Sequence, residues 1–201
     1  MGKKVVGIIG SYRRGRVVET AVREVLRGAR EKGAEVVEIN LLDKNIEFCD
    51  NCRACVQNKE GLRGVCRHND DMEGILAEID SADGVVLGSP VNFGTATALM
   101  KRFVERLVVY CHWTWGTKMP GRRSEMPGKK KAVIVTSSAC PAVIGWVLMP
   151  GARKVLKMAA GAMGAKVVKQ LYLGPVAVSE SETINEKARE KCRRAGERLV
   201  G

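Results

Sequence analysis

Short apolar runs alternate along this chain with longer stretches in which apolar residues recur at helical spacing. The apolar runs are rich in Val and Ile, and their length suits strands that are buried on both faces of a parallel sheet. Strands are predicted at residues 3–10, 34–41, 84–90, 130–138 and 165–174. Helices are predicted at 17–32, from Asp70 or Asp71 to 82, at 95–109, at 151–164, and from Ser179 or Ser181 to Leu199.

Five strands separated by helices predict an α/β fold with a doubly wound five-stranded parallel sheet. The flavodoxin-like strand order 2-1-3-4-5 is the leading candidate. At 201 residues, with no repeats and no low-complexity linker, the whole of 1–201 is expected to form a single domain. The pattern breaks after the second strand, so a cysteine-rich insertion is expected there, at 43–70.

The topology also predicts where a ligand binds. In open α/β sheets, ligands bind beyond the carboxyl ends of the strands, near the point where the strand order reverses. The segments that follow strands one, three and four are GSYRRGR, GSPVNFGT and TSSACPAV. Each contains small or backbone-permissive residues, among them Ser137 and Ser138 in the third segment, so these three segments are predicted to line one site.

The first segment has the features of a phosphate cradle. Gly15 permits a tight turn, Ser11 can donate a hydrogen bond, and the following helix presents its positive end. Arg13, Arg14 and Arg16 add cations that a phosphomonoester would attract. The segment is neither a Walker A loop nor a G-x-G-x-x-G motif. The competing interpretation is an ordinary strand-to-helix turn with solvated arginines.

The loop after the third strand is predicted to present its backbone to a flat ring. It contains Ser89, Pro90, Asn92, Phe93 and Gly94. The cations that follow in the next helix, Lys101, Arg102 and Arg106, are expected on its surface. The connection at 110–128 is too long for a turn and is expected to be a lid or binding loop carrying Trp113 and Trp115. The run at 128–132 is expected to be a solvated entry to strand four.

Four of the seven cysteines are concentrated in one segment. Cys49, Cys52 and Cys55 form a C-x2-C-x2-C motif, which Cys66 follows. This spacing is similar to the start of the bacterial ferredoxin motif, so a [4Fe-4S] cluster is the sharpest hypothesis. Zinc, with His68 as a further candidate ligand, and a set of thiols without metal remain the alternatives.

Charge and composition narrow the classes of partner. The net charge of +12 suits nucleic acid, phosphorylated cofactors or acidic proteins. Only 4% of residues are aromatic, which counts against nucleic acid as the ligand. No uninterrupted apolar stretch has the length of a membrane span, and the N-terminal residues lack the pattern of a signal peptide. The protein is therefore expected in the cytoplasm, where cysteines stay reduced or bind metal.

Three segments together resemble the NAD(P)H-dependent FMN reductase superfamily, and most closely its iron-sulfur flavoprotein branch. These are GSYRRG, CDNCRAC followed by Cys66 and NDDM, and ADGVVLGSPVNFGTATALMKRFVER. The chain departs from the family pattern in the phosphate loop, where Tyr12 replaces a proline and Val17 and Val18 occupy polar places. It also has Asn92 where the family usually has tyrosine, and a long interval between Cys55 and Cys66.

The resemblance implies FMN as cofactor, with its phosphate held by the loop from Ser11 through Val18. It implies that the flavin ring is bounded by Pro90, Val91, Asn92, Phe93 and Gly94. It further implies a [4Fe-4S] cluster on the four cysteines, and a homodimer or homotetramer that exchanges electrons with a ferredoxin-like carrier or NAD(P)H.

Three functions therefore compete. The first is an iron-sulfur flavoprotein that transfers electrons. The second is an NAD(P)H-dependent reductase of FMN or quinones that has no cluster, and iron content separates it from the first. The third is a basic, zinc-stabilised module for nucleic acid, which would contain zinc and no flavin and would bind with a steep salt dependence.

Overall fold

The chain folds around a central sheet of five parallel strands with helices on both faces. The computed structural model describes residues 2–123, 130–176, 179 and 182–201. The strands are β1 (Lys4–Ile9), β2 (Glu35–Asn40), β3 (Gly84–Asn92), β4 (Thr95–Ala96), β5 (Cys111–His112), β6 (Gly121–Arg122), β7 (Lys130–Ser137) and β8 (Ala165–Leu173). The helices are α1 (Val17–Glu31), α2 (Met72–Ser81), α3 (Ala98–Arg106), α4 (Ala142–Leu148), α5 (Gly151–Ala162) and α6 (Glu186–Val200).

The order of the central sheet is β2-β1-β3-β7-β8, and every neighbouring pair in it is parallel. These strands are the five that the sequence predicts, in the predicted order 2-1-3-4-5, so the flavodoxin-like fold class is confirmed. The carboxyl ends of the strands consequently lie along one edge, where the predicted ligand segments begin.

Each strand of the central sheet contributes to two apolar cores because successive side chains point to opposite faces of a sheet. Val6 and Ile8 of β1 join the core that packs against α2, α3 and α5. Val5 and Ile9 join the core that packs against α1 and α6. Strands buried on both faces explain the continuous apolar runs in the sequence.

Two predicted helices differ from the observed ones, and one observed helix was not predicted. The helix expected at 95–109 is preceded by a β-hairpin, since β4 pairs back onto the end of β3. The short helix α4 has no counterpart in the prediction. The last helix begins at Glu186, where the side chain of Asn185 accepts a hydrogen bond from the Ala188 backbone, and Ser179 lies before it. The other expected start, Ser181, is outside the described residues.

Lys130 corrects the expectation of a solvated entry to strand four. Its side chain is buried, and its Nζ donates to the carbonyls of Ile79, Asp80 and Ala82 at 2.5, 2.8 and 2.8 Å. Burial lowers the pKa of this ammonium group, and the nearby carboxylates of Asp80 and Asp83 offset only part of that decrease. The lysine thus binds the last carbonyls of α2. The first two residues of the run, 128–129, lie outside the described residues.

None of the helices in the described ranges is both long enough and apolar enough to cross a membrane.

Candidate functional site

The segments after β1, β3 and β7 meet at the carboxyl edge of the sheet. The Gly10 amide donates to the Gly88 carbonyl at 2.8 Å, which joins the ends of β1 and β3. Pro90 lies opposite Ser137 in the register of β3 and β7. The fold therefore brings together the three segments that the sequence predicts as one binding site.

The loop after β1 has the geometry of an anion site. The Ser11 hydroxyl is buried and accepts from the Arg13 amide at 3.2 Å, and Gly15 turns the chain with a φ of 65°. The chain then enters α1, and no described side chain caps the first amides of that helix. Unpartnered amides at a helix N-terminus are donors that suit a phosphate.

The arginines and valines of this loop have different surroundings. Arg13 and Arg14 are exposed and Arg16 is half-buried. Arg14 forms an ion pair with Asp43, with Nη1 and Oδ2 at 3.1 Å. The side chains of Val17 and Val18 pack in the core, so only their backbone amides are available to a ligand.

The loop after β3 is a tight hairpin turn. Phe93 and Gly94 have φ angles of 49° and 79°, which is the pattern of a type I′ turn. Asn92 pairs with Thr95 beside this turn, and the Phe93 ring is fully exposed. Gly151, the first residue of α5, packs so close to the turn that a Cβ there would lie 2.1 Å from the Gly94 carbonyl oxygen.

Two buried hydroxyls connect these loops, and the sequence reasoning assigned a role to only one of their residues, Ser89. The Thr97 Oγ1 donates to the Gly10 carbonyl at 2.8 Å and accepts from the Met100 amide at 3.1 Å, which caps α3. The Ser89 Oγ accepts from the Thr97 amide at 3.1 Å. A threonine directly before an apolar helix is a recognised N-cap signal, so the role of Thr97 was readable in part.

Ser137 and Ser138 end β7 and are both buried. The Ser138 amide donates to the Leu173 carbonyl at 3.0 Å, and its hydroxyl donates to the Cys140 carbonyl at 3.3 Å. The third predicted segment is thereby held against the end of β8, with Cys140 half-buried beside it.

The four clustered cysteines line one small cavity of about 50 Å³. Cys55 is buried, and Cys49, Cys52 and Cys66 are half-buried. Between the first three, Asn51 and Arg53 adopt left-handed backbone conformations that coil the segment around the cavity. Burial raises the pKa of the Cys55 thiol to about 11, and the three other thiols add to the shift. The fold thus brings together all four predicted ligands.

The geometry around the cavity differs from that of a single-ion site. In the described part of the chain, no three His, Cys, Asp or Glu side chains converge closely enough to hold one metal ion. A tetrahedral zinc site needs its sulfurs about 2.3 Å from one point. A [4Fe-4S] cluster binds each cysteine to a different iron, so its four sulfurs stand further apart around a volume.

Three buried nitrogen atoms on residues that line this cavity have no hydrogen-bond partner among the described residues. They are Arg53 Nε, His68 Nε2 and Arg106 Nε. Buried polar groups without a partner are costly and rare, so the cavity suits a guest that supplies acceptors. Four thiolates with an iron-sulfur cluster carry net negative charge and acceptor sulfurs. The residues present therefore fit the group that the resemblance implies.

Arg106 corrects the expectation of a helix-surface charge, since it is only 2% exposed. Its guanidinium donates to both carboxylate oxygens of Asp70, at 2.5 and 3.2 Å, and to the Glu47 carbonyl at 2.8 Å. Burial alone would raise the pKa of Asp70, but Arg106 and two backbone amides outweigh it and lower the pKa. This ion pair holds both ends of the cysteine segment.

The connection after α3 covers the cysteine segment. Trp113 lines the cavity, and the Arg53 guanidinium lies 3.9 and 4.0 Å from the ring centroids of Trp113 and Trp115. Arg123, which sequence reasoning missed, is buried and donates to the Cys55 carbonyl at 3.0 Å. The expected lid at 110–128 thus packs on the cysteines as far as the structure describes it, and 124–128 lie outside the described residues.

Comparison with known proteins adds the family context. The family described as NADPH-dependent FMN reductase matches residues 3–173. Iron-sulfur flavoproteins of Methanocaldococcus jannaschii and Methanosarcina thermophila are 41% and 30% identical over 103 and 106 residues. These matches cover 51% and 53% of this chain and 50% and 53% of the relatives, so the chain spans about half the length of the curated relatives it matches.

Solved structures share the fold at low identity. An NAD(P)H:quinone oxidoreductase from Methanothermobacter marburgensis is 16% identical with a TM-score of 0.68, over 99% of this chain and 100% of that one. A flavodoxin from the domain Archaea is 15% identical with a TM-score of 0.56, over 98% and 96%. At these identities the likeness establishes the flavodoxin-like architecture.

Proposed function

We propose, from the premise that this chain belongs to the NADPH-dependent FMN reductase family, that it is an iron-sulfur flavoprotein that transfers electrons. Membership of the family makes it a flavin-dependent oxidoreductase. The observation that carries the finer proposal is the cavity lined by Cys49, Cys52, Cys55 and Cys66, around which three buried nitrogens lack partners. When bound, FMN accepts a hydride or releases electrons singly, and a [4Fe-4S] cluster relays single electrons.

In this proposal, one domain, 1–201, holds the FMN at the carboxyl edge of the sheet. The Ser11 hydroxyl and the first amides of α1 bind the phosphate, and the hairpin after β3 borders the ring. The proposed contacts are Ser11, Arg13, Arg14, Gly15, Arg16, Val17, Val18, Pro90, Val91, Asn92, Phe93, Gly94, Ser137 and Ser138. These residues bind and orient the cofactor, and no side chain is assigned as an acid or base.

The electron partners and the assembly are part of the same proposal. The donor or acceptor is a ferredoxin-like carrier or NAD(P)H, and the net charge of +12 favours a partner with an acidic surface. A homodimer or homotetramer in the cytoplasm is proposed. The exposed apolar side chains of Val143, Val147 and Leu148 on α4 support an assembly, because neighbouring apolar side chains on a surface mark contact sites.

The test is an absorption spectrum with flavin, iron, sulfide and zinc assays on full-length protein purified without oxygen. We expect bound FMN with about four irons per chain. Cys66→Ser should lose the iron and keep the flavin, whereas Cys192→Ala, which changes a cysteine outside the cavity, should keep both.

The assays also identify the competing functions. Flavin without iron, even after reconstitution with iron and sulfide, would leave the NAD(P)H-dependent reductase of FMN or quinones. Zinc without flavin would instead favour the basic nucleic-acid module.

A further inference from the structure

Arg106 is held in place by its two outer nitrogens, whereas its inner nitrogen, Nε, takes part in none of these contacts. An arginine side chain has five N–H donors, four on the two Nη atoms and one on Nε. Nη1 and Nη2 both donate to Asp70, and Nη1 also donates to the Glu47 carbonyl. Nε is buried and has no partner among the described residues.

Asp70 fixes the orientation of this guanidinium. Its Oδ2 accepts from the Glu47 amide at 2.8 Å and its Oδ1 accepts from the Met72 amide at 3.0 Å. Both side chains of the pair are nearly inaccessible, with 2% and 1% exposure. The planar, two-point contact prevents the guanidinium from turning to satisfy Nε elsewhere.

The Arg106 side chain and the Cys66 sulfur lie at the same cavity and interact. Burial opposes ionisation of the Arg106 guanidinium, but the Asp70 carboxylate and the charge of a Cys66 thiolate outweigh it and raise the pKa of Arg106. The other two unpartnered nitrogens belong to side chains that no two-point ion pair holds in place. Arg53 is stacked between two tryptophans, and His68 Nε2 lies 3.7 Å from Asp50 Oδ2. Of the three side chains with an unpartnered nitrogen at the cavity, Arg106 is therefore the one whose orientation is fixed by a buried ion pair.

We infer that Arg106 is a positioning residue whose Nε–H donates to the Cys66 sulfur and raises the reduction potential of the cluster that the four cysteines hold. The inference rests on the proposed function. Reduction adds one electron to the cluster, and a nearby cation with an N–H directed at a sulfur stabilises the added negative charge. Asp70 aligns the donor without removing it.

The experiment is a redox titration of the anaerobically purified, cluster-loaded full chain with dithionite, followed by EPR. We expect Arg106→Gln and Arg106→Lys to lower the equilibrium constant for one-electron reduction about tenfold, which is a shift of about 59 mV to lower potential. Arg63→Gln is the matched control, because Arg63 is a poorly exposed arginine that pairs with Glu73 and Asp80 and does not line the cavity. It should change the constant less than about twofold.

A measurement on unmutated protein covers the case in which Arg106 variants fail to fold. Protein grown with arginine labelled with ¹⁵N in its guanidinium should show a ¹⁵N coupling to the reduced cluster in pulsed EPR. Arg53→Lys, which removes the other arginine that lines the cavity, should keep this coupling, and its loss in that variant would also overturn the inference. Where Arg106→Lys folds, it should lose the coupling. The inference is overturned if the wild-type protein shows no such coupling, if the coupling persists in Arg106→Lys, or if the potential is unchanged. A wild-type chain that assembles no cluster overturns the proposed function as well, which is a different result.

Discussion

Cys192 is a fully buried thiol on α6, in the core that this helix shares with α1. Burial, with a smaller effect from Glu24, raises its pKa to about 12. An unfolded thiol ionises near pH 9, so between that pH and 12 the native state binds more protons than the unfolded state. Stability must therefore fall as the pH rises through this window.

We expect Cys192→Ala to flatten this alkaline loss of stability. At about pH 10.5 the wild type should have lost about 2 kcal/mol of unfolding free energy through this group, a loss that the variant avoids. Urea denaturation of both proteins at several pH values between 7 and 10.5 measures the difference. Parallel curves for the two proteins would show that Cys192 ionises in the native state as easily as in the unfolded one.

Arg106 and Lys130 show why some residue roles escaped the sequence. Each was predicted to be a surface charge because lysine and arginine side chains are mostly exposed in folded proteins. Each is buried because its partners come from distant segments, Asp70 and Glu47 for Arg106 and the end of α2 for Lys130. Local pattern carries no information about such partners, whereas the cysteine spacing lies within one segment and was readable.

At the scale of elements, Thr97 joins α3 to the loop after β1. Its side chain caps the helix and donates to the Gly10 carbonyl. Thr97→Val keeps the shape and removes both hydrogen bonds. We expect a loss of about 1–2 kcal/mol in unfolding free energy and weaker FMN binding, measured by urea denaturation and by quenching of flavin fluorescence.

Thr97→Ser keeps the hydroxyl and serves as the control, so it should remain within about 0.5 kcal/mol of the wild type. Equal loss in both variants would mean that the methyl group, which serine lacks, contributes as much as the hydroxyl, which valine lacks, and would contradict the assignment of this stability to the two hydrogen bonds.

Element boundaries were predicted best where burial alone determines them. All five central strands follow from continuous apolar runs, and their order is that of the flavodoxin-like fold, the leading candidate for five strands that alternate with helices. The β4 strand of the hairpin was predicted to be the start of a helix, since residues 95–109 also fit helical spacing. What decided against the helix is the turn at Phe93 and Gly94, where Phe in a left-handed conformation is too unusual to expect from the sequence.

At the scale of the molecule, the cysteine segment and the sheet are expected to respond differently to loss of the [4Fe-4S] cluster proposed for the four cysteines. Between Asp43 and Met72 the described chain has a single 3-10 turn, Ala54–Val56, as regular structure. The cysteine segment contributes Ile46, Cys55 and Val56 to the core on one face of the sheet, whereas the core with α1 and α6 on the other face contains none of its residues. Removing iron by oxidation and chelation should therefore increase amide hydrogen exchange at 49–66 and leave β1, β3 and β7 protected.

Hydrogen exchange followed by mass spectrometry makes this comparison, with Cys66→Ser as the cluster-free reference. If the sheet lost protection together with the cysteine segment, the cluster would be part of the global folding unit. That outcome would contradict the expectation that the sheet stays folded without the cluster.

The family, and the meeting of three loops at one edge of the sheet, could both be predicted from the sequence, because topology determines where the loops lie and motif spacing determines which cysteines come together. The physical partner of electron transfer could not, since it depends on surface shape and on a second molecule. Charge gives only the sign of the surface that it prefers.

The buried hydroxyls of Ser89 and Thr97 have a thermodynamic consequence. They connect the ends of β1 and β3 in the folded protein, so these two loops are already preorganised as one surface when a cofactor binds. Ordering flexible loops is among the main costs of association, and this part of the site has met that cost during folding. The affinity of the proposed cofactor site therefore depends largely on the stability of the sheet that holds these two loops.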